Sequence, residues 1–286
     1  MKLIKSNRRK AKIKMALQGP AGAGKTYSSL LIADGLTSGE FSKVAVIDSE
    51  NGSSNLYSDL GDFKVLTLEK HSPEEYIQAI QLCEQEGMEV IIIDSITHAW
   101  EFLLDYHSSL SGNSFTNWGK ITPRQKSFID KILNSKCHVI ATMRTKQDYV
   151  LNQKDGKYVP EKVGLKAVQR DGVEYEFTVI LDLDIKHFVT CSKDRTGLFM
   201  DKPEFQITRG VGRKIKEWCE QGVDLKSMQD KIEKCESQEG LNKLFQEYSD
   251  YREELNKYFI IQQKTIKENQ LLNLTKINSN GISRNE

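Results

Sequence analysis

The run Gly19-Pro20-Ala21-Gly22-Ala23-Gly24-Lys25-Thr26 constrains this chain more than any other eight residues. It fits the pattern G-x-x-x-x-G-K-[ST], follows the apolar run 13–18 and opens a helical pattern over 26–36. That strand–loop–helix setting is the one a phosphate-cradling loop requires. Glycines let successive backbone N–H groups curl around phosphate oxygens. The helix N-terminus adds its partial positive charge. Gly19 to Thr26, with Tyr27 just beyond, are therefore the candidate nucleotide-contacting residues. Lys25 is placed to reach the β- and γ-phosphates, and Thr26 to offer its hydroxyl to Mg²⁺. The bland alternative is a glycine-rich turn.

The rest of the first 144 residues repeats the alternation. Short β-rich runs at 44–48, 65–68, 90–94 and 139–143 are separated by helix-like stretches at 73–86, 97–110 and 121–133. Strands alternating with helices predict a parallel sheet covered on both faces. The unbroken apolar run Val90-Ile91-Ile92-Ile93 suits a strand buried on both sides. After Arg144, Asp155-Gly156 between two strand-like runs predicts a hairpin. Further strands are expected at 175–183 and 187–191, and helix at 211–221. Gly222 marks a boundary, giving a core over 1–222 with a basic N-terminal arm. A helical extension follows over 223–272, with Gly240 separating two apolar stripes, and then a frayed polar tail over 273–286.

Composition narrows the function classes. With 38% hydrophobic and 28% charged residues, the chain has the make-up of an ordinary globular protein. The formal charge of +1 announces no global attraction to nucleic acid or membrane, so any polyanion site must come from local clustering. The clearest cluster is residues 1–14, with Lys2, Lys5, Arg8, Arg9, Lys10, Lys12 and Lys14 and no acidic residue. The five cysteines are widely spaced and form no Cys-x-x-Cys pair, which argues for reduced thiols. No apolar run resembles a signal peptide or a membrane helix, so a cytoplasmic protein is expected. The five histidines show no metal-ligand spacing, and His98 and Glu101 read as helix-surface residues.

Two carboxylates complete the candidate site. Asp94 ends the most hydrophobic strand, and a carboxylate at that end of a parallel strand faces the ligand crevice. It is the second candidate Mg²⁺ ligand beside Thr26. Glu50 ends another strand, where it can orient and deprotonate an attacking water. Asp48, two residues earlier, competes for that role, and a capping role remains the plain alternative.

The P-loop, the Ile47-Asp48-Ser49-Glu50 strand end and Asp94-Ser95 together resemble the RecA-like ATPase core. The resemblance implies ATP and Mg²⁺ as ligands, Glu50 as catalytic base and a polar γ-phosphate sensor at the end of the next core strand. Arg144 stands there in place of the usual Gln or Asn. More narrowly, the compact chain and Ser192-Lys193-Asp194-Arg195-Thr196-Gly197 resemble phage-encoded RecA-like ATPases of the single-strand annealing type, the Sak group. That resemblance covers about residues 10–220. It implies an α/β, RecA-like P-loop NTPase core with a small C-terminal helical extension. It also implies a homo-oligomer, ring or filament, in which Lys193 and Arg195 reach a neighbour's nucleotide as basic fingers. A solvated hairpin is the other reading of those two residues.

The same resemblance implies single-stranded DNA as partner, with a single-strand-binding protein as a possible associate. The DNA would pass two loops, 104–120 with Phe115 and Trp118 for stacking, and 146–174 with Lys146, Lys154, Lys157, Lys162, Lys166 and Arg170. Five acidic residues in the second loop nearly cancel its charge, and the aromatics of the first also fit a core. The basic arm is a further candidate for phosphate contacts. Two alternatives stay open: a partner-regulated signalling ATPase that never touches DNA, and a RecA-type helicase motor.

Overall fold

A computed structural model describes the backbone of residues 8–154 and 157–281 and the side chains of residues 8–146 and 165–271. The chain divides into two units, residues 11–220 and a smaller one of residues 1–10 with 221–286.

The larger unit is an α/β fold. Its strands are β1 (Lys14–Gly19), β2 (Val44–Asp48), β3 (Lys64–Thr67), β4 (Val90–Asp94), β5 (His138–Lys154), β6 (Lys157–Ala167), β7 (Val179–Leu183) and β8 (Val189–Asp194). Among the described residues they make one sheet in the order β3-β2-β4-β5-β1-β7-β8, with β6 paired to β5 alone. β1, β2, β3, β4, β5 and β7 run parallel, whereas β6 and β8 are antiparallel to their partners. The helices are α1 (Lys25–Thr37), α2 (Pro73–Gln85), α3 (Thr97–Ser109), α4 (Ser114–Leu133) and α5 (Arg209–Glu220).

Strand alternation builds two cores. Ala16, Ile47, Ile91, Ile93 and Ala141 point to the face covered by Tyr76 and Ile80 of α2 and Phe128 of α4. Their neighbours Met15, Leu17, Val46 and Ile92 point to the face covered by Leu30 of α1 and Ile215 of α5. α1 and α5 cross with their backbones in contact: a Cβ on Gly212 would lie 2.1 Å from the Ile32 carbonyl oxygen. Covering both faces leaves the C-terminal ends of the parallel strands as the open crevice.

Local chemistry moved several boundaries. The loop expected over 104–120 is mostly helix, because the Asn113 side chain accepts from the N–H groups of Phe115 and Thr116 and starts α4 early. Only residues 110–113 connect α3 to α4. The second expected loop, 146–174, is largely the β5–β6 ribbon; Asp155-Gly156 lies outside the described residues, between the paired Lys154 and Lys157.

The smaller unit holds α6 (Leu225–Glu233), α7 (Gln238–Glu247) and α8 (Arg252–Gly281). Ile232, Leu241, Tyr248, Leu255, Phe259 and Ile266 form its core. The break between α6 and α7 falls before Ser237, whose side chain accepts from Gly240 N, so Gly240 lies inside the first turn of α7. The frayed tail expected from residue 273 is instead helix as far as Gly281. Of the basic arm expected on the core, Lys2 and Lys5 lie outside the described residues, while Arg9 and Lys10 belong to this unit: Lys10 N donates to Val223 O, Arg9 pairs with Glu254 and Lys10 with Asp224. Lys14, read as part of that arm, is buried in β1. Among the described residues no helix is long and apolar enough to cross a membrane.

Candidate active site

β1 ends at Gly19, and the chain loops through Pro20–Gly24 into α1. Gly24 has φ 79°, a left-handed conformation that suits glycine at this helix cap. Lys25 folds back over the loop, and its ammonium donates to the carbonyls of Gly19 and Pro20, both at 2.9 Å. Burial lowers its pKa, while Asp94 and Glu50 pull it back up.

Thr26 turns toward β4, and its hydroxyl donates to one oxygen of Asp94 at 2.5 Å. Thr142 of β5 donates to the other, also at 2.5 Å. Asp94 is only 2% exposed. Burial pushes its pKa up, the two hydroxyls oppose this, and the nearby carboxylates Glu50 and Asp48 add to the rise. A hydroxyl and a carboxylate are the hard oxygen donors that Mg²⁺ takes. A divalent cation would offset the charge that burial and the neighbouring carboxylates make costly on Asp94. The residues present therefore fit Mg²⁺, with Thr26 and Asp94 as the protein's share of the ligands.

Asp48 and Glu50 separate cleanly. Asp48 is fully buried, and its carboxylate accepts from the N–H groups of Glu50, Gly52 and Ser54 and from the Ser54 hydroxyl. With four donors on it, Asp48 shapes the loop rather than meeting a water. Glu50 lines the cleft. Its two oxygens accept from Arg144 Nε at 2.9 Å and Nη2 at 2.6 Å. Burial raises the Glu50 pKa, but the Arg144 hydrogen bonds and charge, with His98 and Lys25, outweigh that and hold it below the usual range.

One cleft of about 940 Å³ brings together Lys25, Thr26, Glu50, Asp94 and Arg144. The exposed ring of Tyr27 lies 5.6 Å from that of Tyr57 at its edge. His187, on the β7–β8 turn, leans over the loop, its Nδ1 3.1 Å from where a Gly24 Cβ would stand. Tyr57 and His187 belong to no motif in the sequence, where His187 reads only as the start of a strand and as one of five histidines without metal-ligand spacing. Ser49 and His98 are further additions. The Ser49 hydroxyl lies 2.8 Å from His98 Nδ1 and accepts from Ser95 N, tying the Glu50 strand to the Asp94 strand. His98, expected on a helix surface, is half-buried beside Glu50 and Arg144; burial lowers its pKa, Arg144 lowers it further and Glu50 opposes them.

Other sequence candidates lie elsewhere. Lys193 and Arg195 are at the far end of the sheet, since Lys193 pairs with Ile180 near the start of β7. There Lys193 donates to the carbonyls of Glu174 and Tyr175, and Arg195 to that of Tyr175. Neither lines the chain's own cleft. Trp118 is stacked on Trp100 and His107, whereas Phe115 is 88% exposed. The side chains of Lys154, Lys157 and Lys162 lie outside the described residues.

A family model described as AAA domain matches residues 11–227. The chain belongs to the AAA domain family. The match spans the larger unit and runs into α6. No curated protein matched the chain. AAA domains are P-loop ATPases, so the α/β fold is of the P-loop NTPase kind and nucleotide hydrolysis is the chemistry the family suggests.

Proposed function

We propose that the protein is a Mg²⁺-dependent ATPase of RecA-like type that works on single-stranded DNA in phage recombination, as in the Sak group. The observation that carries the ATPase part is the shared cleft, with Lys25, the Thr26–Asp94 pair and Glu50 around one cavity. In this reading Lys25 neutralises charge developing on the transferred phosphoryl group. Glu50 takes the proton of the attacking water. Lys193 and Arg195, distant from their own cleft, serve a neighbouring subunit. DNA binding rests on the resemblance, on the exposed Phe115 and on the long β5–β6 ribbon that continues the strand carrying Arg144.

A partner-regulated ATPase without DNA is the second reading, and two observations favour it. Trp118 is occupied by its internal stack, and Arg9 and Lys10 are paired with Glu254 and Asp224.

Steady-state ATP hydrolysis with and without single-stranded DNA at low salt tests both parts. Stimulation by DNA is expected, and an unstimulated rate shifts the reading to the partner-regulated enzyme. Glu50→Gln should lower turnover roughly 10²- to 10⁴-fold, the usual range for a lost general base. Unchanged turnover in that variant would remove Glu50 from the mechanism.

A further inference from the structure

The Glu50–Arg144 pair is at odds with the role of either partner. A general base needs a free lone pair facing water. Here each Glu50 oxygen accepts from the guanidinium in a two-pronged arginine contact, a strong geometry that turns both oxygens to Arg144. The same contact lowers the basicity of Glu50, although burial acts the other way. Arg144, for its part, faces a carboxylate while lining a cleft built for phosphate.

We infer that Arg144 is a latch on Glu50, opened when the third phosphate of a nucleoside triphosphate takes over the guanidinium. The inference rests on the ATPase reading of the cleft. The backbones on either side are fixed, so only side chains need move. Arg144 N donates to the Thr97 hydroxyl, and Arg144 O accepts from Val168 N. On the other side, Asp48 clamps the loop by accepting from Glu50 N at 2.7 Å. Arg144 is also the register partner of Gly19, so its side chain is rooted beside the first residue of the phosphate loop.

Guanidinium binds phosphate by the same fork it uses on carboxylate. A phosphoryl oxygen set with more charge than one carboxylate can therefore displace Glu50. The loop backbone cradles the α- and β-phosphates, which leaves the third to meet Arg144. A diphosphate leaves the latch closed, with the base neutralised. A triphosphate opens it and frees the Glu50 lone pairs for water. Arg144 is in this account a positioning residue for Glu50, and binding of the right nucleotide itself readies the base.

The test is a double-mutant cycle on binding, without turnover. Affinities for ADP and for the non-hydrolysable analogue AMP-PNP, with Mg²⁺, are measured by calorimetry. The proteins are the wild type, Glu50→Gln, Arg144→Ala and the double variant, with Arg144→Gln in reserve if the alanine variant does not fold. Glu50→Gln should tighten AMP-PNP about tenfold and leave ADP within about twofold, because the neutral amide releases the guanidinium. In the Arg144→Ala background the same substitution should no longer tighten AMP-PNP. Tightening that persists without Arg144 would mean simple repulsion between Glu50 and the third phosphate, and would overturn the latch. Equal shifts for both nucleotides would overturn it too. A wild-type protein that binds neither nucleotide would instead overturn the ATPase reading beneath it.

Discussion

Two lysines bracket β1, and they are ligated alike yet placed for different ends. Lys14, at the start of the strand, is 6% exposed and donates to the carbonyls of Ser135 and Cys137. Lys25, just past its end, donates to the carbonyls of Gly19 and Pro20. Burial lowers the pKa of both. The difference is what surrounds them. Lys14 is enclosed at the end of the strands that His138 also occupies, where its polar partners are backbone atoms; His138 Nδ1 accepts from Ile13 N at 3.1 Å. Lys25 opens onto the cleft, among the side chains of Asp94, Glu50 and Arg144. Lys14 is enclosed and does not line that cleft, where a ligand could replace its partners, so its end is fixed structure. Side-chain partners and loop carbonyls can give way to phosphate oxygens, so the Lys25 end is a site.

The largest effect should come from separating these roles at Lys25. Lys25→Ala removes a cation from the phosphate cleft, and turnover should drop about 10³-fold, roughly 4 kcal/mol in the barrier. Thermal stability should stay within about 0.5 kcal/mol of wild type, the range for sites outside a packed core. Hydrolysis assays and melts on one preparation check both. A variant that hydrolyses normally but melts early would reverse the comparison.

How well each end could be read from sequence follows the same divide. The Lys25 end announces itself, because phosphate binding demands glycines at fixed offsets and carboxylates at strand ends. Lys25, Thr26, Glu50 and Asp94 meet in one cleft as their positions after β1, β2 and β4 require. The strand–helix alternation was equally plain from period alone. What the sequence hid depends on single contacts between distant residues. Asp48 and Glu50 look interchangeable until the four donors on Asp48 are seen. Nothing local says that Arg144 meets Glu50, 94 residues away. Trp118 and Phe115 carry equal stacking promise in the sequence, and only the fold puts one against Trp100 and leaves the other in solvent. The buried end was silent, since a lysine amid six other basic residues reads as part of an arm.

A second, smaller effect tests that silent end on its acid side. Burial, with Lys12, Lys14 and Lys216 nearby, pushes the His138 pKa down to about 3. The folded protein then keeps His138 neutral while the unfolded chain, with an ordinary imidazole, takes up a proton below about pH 6.5. The stability this neutral contact provides is therefore present above that pH and is lost as pH falls toward 3. Between pH 6.5 and 5, where few carboxylates titrate, urea unfolding should show a loss of about 1.5 kcal/mol from this residue. His138→Asn retains an acceptor for Ile13 N and should flatten that slope. An unchanged slope would mean that His138 is not the group responsible.

The smallest effect lies on the alkaline side and belongs to Lys14. Burial lowers its pKa to about 8, against charges on Cys137 and Glu84 that pull it upward. Unfolded lysine holds its proton to about pH 10.4. Between those values the unfolded chain binds more protons than the folded one, so stability should rise with pH. The gain from pH 8 to pH 9 should be about 1 kcal/mol, and it reflects relief from holding a buried charge. Lys14→Met keeps the length and apolar stem and removes the charge. The variant should lose the alkaline gain and leave ATP hydrolysis untouched, because Lys14 is at the other end of β1 from the cleft. If Lys14→Met instead slowed hydrolysis while the pH slope survived, the two lysines would not be divided between structure and site, and enclosure would fail as the criterion that divides them.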